Sequence, residues 1–347
     1  MRLFWLAILC CLLTVGCGVY TPDADIVLHE EYTFAAVPTP VLQPGIADPA
    51  GYSFALAPDA PDPLRSAAMF FCDKVYELSG GKMIIEAVTS ANPLRELSRG
   101  QAQFAFLSGR QAAGLSGYAA AMHMPFNYRN YMHYTMAANN AELLAILADD
   151  LSERHRIIPL AGFYTGSSHF LSNIAYLNPG QRESGETAVL LPGSNAEYGL
   201  SLFGYDLTAE PSYDIRFSLL QNGGAVLIEV TSIELATNGS WIDAGFSYIP
   251  AMHDVSTQFL FVESGFWESL DDVSAAAVTE AKSCLFPIID EAYLRRETMV
   301  TNLIAENHII QVSGLPDSFT PAFRNAWRAH HEPDSMANHL TRLIAGI

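Results

Sequence analysis

The segment TGSSHF at 165–170 sets two serines beside a histidine, the residue types of a nucleophile elbow. The G-x-S-x-G spacing that exposes such a serine on a strained turn is missing. The segment SGGK at 79–82 offers the glycines and lysine of a phosphate loop, but there is no glycine four residues upstream and Met83 replaces the magnesium-binding hydroxyl. Its glycines read instead as the end of a helix. The ten histidines are scattered, with no H-E-x-x-H or other metal-ligand spacing. His330-His331 reads as an exposed loop between closing helices. Without an assignable nucleophile, base and acid, the sequence predicts no enzyme, no metal and no cofactor.

A fourth stretch has the form of a binding site. GETAVLLPGSN at 185–195 reads as a strand over 187–191, then Pro192-Gly193, then a Ser-Asn able to cap a helix. In open α/β proteins ligands gather where strands end and helices begin. Here the strand ends on Leu190 and Leu191, which suits an apolar ligand. Ordinary strand packing is the competing reading, since a parallel strand is buried on both faces.

Alternating signals position these stretches. Strands are expected over 52–57, 83–88, 104–107, 157–163, 208–213, 226–231 and 257–262. Asp62-Pro63 opens a helix whose apolar residues Leu64, Ala67, Ala68, Phe71, Val75 and Leu78 share one face, ending at Gly80-Gly81. Further helices are expected over 131–151, 197–203, 214–221 and 272–306, the last kinked at Pro287, followed by an extended 308–312 and two closing helices. Strand-helix alternation predicts an α/β class with mostly parallel pairing.

The N-terminus and the composition narrow the setting. Arg2 followed by the apolar run Leu3–Val15 fits a secretory signal, being shorter than the roughly 20 residues of a membrane span. Leu13-Thr14-Val15-Gly16-Cys17 resembles a lipobox, which predicts a signal peptide over 1–16 and acylation of Cys17; an ordinary signal cleaved nearby is the alternative. The five prolines between residues 18 and 50 make 17–50 a tether, although Ile26, Val27, Leu28, Tyr32 and Phe34 are too apolar for a pure spacer. A net charge of −19 with three lysines and no basic cluster excludes nucleic acid as a partner. Cys72 and Cys284 are expected as buried thiols, with a disulfide as the alternative. About 330 mature residues suggest two domains.

Several segments, in order, resemble one family. ELSGGKMIIEAV, PLRELSRGQAQFAFLS, MHMPFNY, IIPLAGFYTGSSHFLSN, SLLQNGGAVLIEV and QFLFVESGFWESL are similar to successive motifs of the DctP-like substrate-binding proteins of tripartite ATP-independent periplasmic (TRAP) transporters. The resemblance spans roughly residues 52–330 and implies two α/β lobes with mixed sheets, hinge strands and a long connecting helix, closing around one small ligand. It implies lobe I at 51–161 with about 246–262, and lobe II at 162–245 with about 263–347. It also implies a periplasmic location, permease subunits as partners and, for the TPR-protein-associated type, a TPR lipoprotein docked by the apolar part of the tether.

The family holds a ligand carboxylate with arginine at positions that fall on Leu190 and Ser168 here, and its Asp-Gly after L-Q-x-G is Val226-Leu227. A bidentate arginine is the usual device for carboxylates, and burying one without a partner costs roughly 3–5 kcal/mol. Hiding about 250 Å² of apolar ligand surface contributes on the order of 6 kcal/mol before association costs. The substitutions therefore imply a hydrophobic or amphipathic ligand; an organic acid would need a relocated cation. Arg129 is the first candidate for that cation, then Arg110, while Arg216 opens a helix and is expected on the surface. Transferred by position, the ligand site comprises Ser108, Phe126, Tyr128, Ser168, Leu190, Asn195, Tyr213, Glu229, Val230 and Trp241, the tryptophan at the rim. Glu229, an acid in an apolar strand, needs a partner and is expected to tie the hinge together.

Overall fold

Two long strands organise the molecule: β4 (Ile157–Ser172) and β8 (Ser247–Glu263), antiparallel along most of their length. The chain is seen in a computed structural model that describes residues 50–173, 185–307, 309, 319–331 and 335–347. The signal segment, Cys17, the tether up to residue 49 and nearly all of 308–312 lie outside the described residues. On one side of the central pair stand β1 (Ala50–Leu56), β2 (Met83–Thr89) and β3 (Phe104–Ser108); on the other stand β5 (Thr187–Leu190), β6 (Asp206–Ala209) and β7 (Leu227–Thr231). The order is β2-β1-β3-β8-β4-β7-β5-β6. The outer strands pair in parallel and the contacts to β4 and β8 are antiparallel, so the sheet is mixed. This is the α/β, two-lobe architecture with hinge strands.

Each half has its own core. The β1–β3 half packs Phe54, Phe71 and Phe104 edge to face, with Phe106 against Phe163, arrangements that add about 0.5–1.5 kcal/mol per pair beyond burial. The β5–β7 half has two cores, one on each face of the sheet, because side chains alternate along a strand. Phe170, Ala188, Leu190, Leu227, Ile249 and Ala251 point to one face, while Leu171, Val189, Ile228, Val230 and Tyr248 point to the other. The helix Phe286–Glu306 joins the halves, burying Ile289 and Tyr293 in the first core and Val300 and Ile304 in the second.

Several boundaries differ from the sequence expectation for identifiable reasons. The helix expected over 131–151 is two, Tyr131–Ala138 and Ala141–His155, because Asn140 caps the second through bonds from the Glu142 and Leu143 N–H groups. Pro287 starts the helix Phe286–Glu306 instead of kinking a longer one. Tyr213 begins the helix Tyr213–Gln221 instead of ending a strand. His330 and His331 lie in the helix Phe319–His331, and not in a loop. Cys72 and Cys284 are free thiols, and burial pushes the Cys72 thiol far up.

Candidate functional site

The positions transferred from the family do not form one pocket. Leu190 and Glu229 face the core that contains Phe170 and Ala251, whereas Val230, Tyr213 and Trp241 belong to the core on the opposite face. A one-residue step along a strand inverts the side chain, so Glu229 and Val230 cannot line the same cleft. Trp241 does not close a rim: it is 1% exposed and donates its ring N–H to the Leu235 carbonyl at 2.9 Å. Leu190 is 3% exposed and packs in the cluster that includes Ala196, Leu200, Phe319 and Phe323, so its side chain follows the strand-packing alternative. Ser108 caps the helix Gly109–Ala113 in a capping box with Gln111.

Four transferred residues do converge where the loop after β5 meets β8 and the segment 122–128. Glu229 Oε1 accepts from His253 Nε2 and from the Ser194 hydroxyl, each at 2.9 Å, and Oε2 accepts from the Leu191 N–H at 2.9 Å. Burial alone would raise the Glu229 pKa, but the hydrogen bonds from His253, Leu191 and Ser194 outweigh it and hold the carboxyl below its ordinary value. Asn195 donates to the His123 carbonyl at 2.9 Å. Phe126 sits with its ring 5.5 Å from Phe323 and 6.3 Å from His253, in a left-handed conformation at φ 57°. Tyr128 donates to the Met122 carbonyl at 2.8 Å. Ser168 is buried on β4, in register with Asp254 and Thr231.

Residues that position-by-position transfer misses complete this region. His253 stacks on Phe170 at 4.3 Å with ring planes 3° apart. A recess beside it is lined by Met122, His123, Met124, Phe126, Met252 and Asp254, among others, with about 190 Å³ of non-atom space including what is open to solvent. Arg110 reaches the Pro192 carbonyl and lies 3.4 Å from Asp254 Oδ2. Arg324 anchors the Phe319–His331 helix here by donating to the Pro125 and Phe126 carbonyls. The sequence carries three Met-His dipeptides, at 122–123, 132–133 and 252–253, and the first and third meet here.

Of the other two candidate cations, one is buried in a backbone network and one is exposed. Arg216, expected on the surface, is fully buried and donates to the Glu229, Glu210 and Pro211 carbonyls at 3.0, 2.7 and 2.8 Å and to the Glu234 carboxylate at 2.5 Å. Its planar fork satisfies backbone acceptors around the loop that precedes its own helix, a role for which a buried arginine is suited. Arg129 is exposed.

A second polar network sits where β4 is irregular. The pairing register shifts between Tyr164 and Ser167, and Gly166 takes φ 115°, a conformation open to glycine. Around this bulge Glu297 Oε1 accepts from the hydroxyls of Tyr164, Ser167 and Ser232 at 2.6, 2.9 and 2.5 Å. Ser167 Oγ lies 2.8 Å from His169 Nε2, and burial pushes His169 down to about 4. The serine–histidine contact lacks an acid on the other ring nitrogen, since His169 Nδ1 has no partner among the described residues. The general-base relay of a nucleophilic serine is therefore incomplete.

No protein-family profile matches the chain, and neither does any curated protein. Solved structures do. A TRAP periplasmic solute-binding protein from Desulfovibrio desulfuricans with bound sn-glycerol-3-phosphate is 15% identical over 86% of this chain and 97% of its own, with a TM-score of 0.67. One from Roseobacter denitrificans with bound β-D-glucuronate is 18% identical over 85% and 99%, at 0.64. An apo open structure from Rhodobacter sphaeroides is 17% identical over 86% and 97%, at 0.68. The chain has the fold of these proteins.

Proposed function

We propose that this protein is an extracytoplasmic solute receptor of a TRAP-type secondary transporter, capturing a small ligand by closure of its two lobes and delivering it to membrane permease subunits. The observation that supports this most is near-complete coverage of solute-binding proteins whose bound molecules are small and chemically varied. The lobes in this reading are 51–161 with about 246–262, and 162–245 with about 263–347. The receptor performs no chemistry. It is held at the periplasmic side of a bacterial membrane by lipid on Cys17 after removal of the signal peptide, and the tether is the segment that would dock a TPR-type lipoprotein.

The ligand in this reading is hydrophobic or amphipathic and carries no carboxylate. Leucine and serine stand at the two arginine positions. The groups that meet between β5, β8 and residues 122–128 include two carboxylates, Glu229 and Asp254, each already paired. An anion placed beside them would be repelled. Arg110 is paired with Asp254 at this place, and a carboxylate ligand would have to take it from Asp254. A structural or lipid-handling lipoprotein with the same fold and no permease is the second reading, its structural form favoured by the tight packing of Leu190, Phe126 and Phe323 where a cleft would open.

Mass spectrometry of small molecules released from the denatured protein tests the ligand class. A stoichiometric apolar or amphipathic compound is expected. A stoichiometric organic acid would overturn it and make Arg110 or Arg129 the relocated cation.

A further inference from the structure

Two Met-His dipeptides 130 positions apart in sequence, Met122-His123 and Met252-His253, line one recess together with Met124. Thioether and imidazole are soft donors, and they select Cu(I)-like cations over the hard cations that oxygen ligands hold. Among the described residues no three His, Cys, Asp or Glu side chains group as metal ligands, which argues against a zinc- or calcium-type centre.

Three observations point to a ligand at this recess. The first is the state of His253, whose side chain is fully buried. Glu229 also accepts from Leu191 and Ser194, so it acts as an acceptor throughout and the hydrogen between the pair sits on His253 Nε2. Its other ring nitrogen, Nδ1, is buried with no partner among the described residues. A carboxylate on the far ring nitrogen is the arrangement that orients and strengthens metal-ligating histidines. The second is backbone strain: Met252 and Phe126 both take left-handed conformations, at φ 45° and 57°, which bulky residues adopt only when their surroundings impose it. The third is Met124, which is 3% exposed yet belongs to none of the three apolar core clusters.

The recess leaves no room for a water-sized sphere in this conformation. Such a space suits a single ion held by direct ligation better than an organic molecule. We propose that this recess binds one soft monovalent cation of the Cu(I) or Ag(I) type, with His253 Nδ1 and the thioethers of Met124 and Met252 as its ligands. Glu229 acts through His253 as a positioning residue, fixing the ring so that Nδ1 faces the recess. The inference does not depend on the identity of the transported solute.

Silver is the probe, because it needs no reductant. The full chain, purified in detergent with its accessible thiols alkylated and its methionine methyl groups 13C-labelled, is titrated with silver nitrate in chloride-free buffer and followed by NMR. The Met124 and Met252 methyl signals are expected to shift and saturate at one equivalent, while the exposed Met69, Met132, Met136 and Met299 stay in place. The double variant Met124→Leu/Met252→Leu, close in shape and volume, is expected to lower the affinity about tenfold or more without changing the melting temperature. Shifts confined to the exposed methionines, silver binding undiminished in the double variant, or no saturable binding would each overturn the site. None of these results bears on the receptor reading, which is tested by the released solute.

Discussion

Glu229 Oε1 and His253 Nε2 meet at 2.9 Å with both side chains fully buried, and they do so across a strand that separates them. Glu229 is on β7, His253 on β8, and β4 runs between; the imidazole reaches over by lying flat on Phe170. Glu229, an acid in an apolar strand, thus has the partner that its burial requires. Because the pair is desolvated, removing one member leaves an uncompensated polar group. Glu229→Ala is expected to lower unfolding free energy by about 3–5 kcal/mol in urea denaturation. The double variant Glu229→Leu/His253→Leu is expected to lose less than the sum of the single losses. Additive losses would mean that the two side chains do not act as a unit.

Glu297 makes the matching tie at the β4 bulge. One carboxylate oxygen accepts three hydroxyls, from two positions on β4 and from Ser232 at the start of the next helix. Hydrogen bonds to a charged acceptor contribute about 1.5–3 kcal/mol each, although not additively. Glu297→Leu is expected to cost at least about 3 kcal/mol and to raise amide exchange selectively around Gly166. Glu297→Gln, which keeps one acceptor oxygen, is expected to fall between. A loss of stability with no local change in exchange would place the effect outside the bulge.

The fold was legible where local patterns and ordered motifs agreed. The apolar face of the helix Asp62–Leu78 and the strands flanking it needed only periodicity and capping. The site was less legible because transfer by position carries no information about which face a residue takes. Val230 and Trp241 were grouped with Glu229, yet they lie on the far side of the sheet. Strict period-two bookkeeping on 227–231 would have separated them. Arg216 differs for another reason: helix-opening charged residues are usually solvated, and nothing local announces the four backbone and carboxylate acceptors, one of them on an adjacent strand, that enclose this one. The pairing of His253 with Glu229 is not legible in either neighbourhood, since the two are 24 positions apart across an intervening strand.

His169 gives the molecule an acid-sensitive element. Burial lowers its pKa to about 4 from an ordinary 6.5, with Glu297 opposing and His253 adding to the fall. The unfolded chain takes up this proton as pH drops through 6.5, whereas the folded chain refuses it until about 4. Stability from this group is therefore lost progressively between those values, by about 3 kcal/mol at most, and is flat below. Asp290 works in the opposite sense, because burial raises it to about 6 and the folded state binds its proton first as pH falls. The total pH profile mixes the two, so the readout is a difference. His169→Gln is expected to remove part of the loss between pH 6.5 and 4, and an unchanged profile would mean that His169 is solvated.

Gly199 marks how closely the helix Phe319–His331 is docked. A Cβ at residue 199 would lie 1.9 Å from the Phe323 ring, far inside contact distance. The ring cannot retreat freely, since Phe319 and Phe126 pack against it at 4.4 and 5.5 Å. Gly199→Ala is expected to destabilise by about 1–3 kcal/mol and to increase proteolysis within 319–331. Phe323→Ala is expected to increase that proteolysis by itself, and Gly199→Ala added to it is expected to cost little more, because the clash goes with the ring. Additive losses would show that the alanine acts other than through the Phe323 ring.

Arg110 separates a contact that holds a conformation from one that holds the fold. Its side chain, 48% exposed, reaches from the helix Gly109–Ala113 to the Pro192 carbonyl at the tip of the β5 loop and to Asp254 on β8. An ion pair this exposed contributes about 1 kcal/mol or less to stability and weakens as salt rises. Arg110→Ala is therefore expected to leave the urea midpoint nearly unchanged. In the proposed receptor its effect falls on the balance between closed and open forms, which a small energy is able to move: about 1.4 kcal/mol changes a two-state population ratio tenfold. The variant is expected to show a larger radius of gyration in small-angle scattering, and the wild type to expand towards it as salt is added. If neither expands, the β5 loop is held shut by Asn195 and Arg324 without help from Arg110.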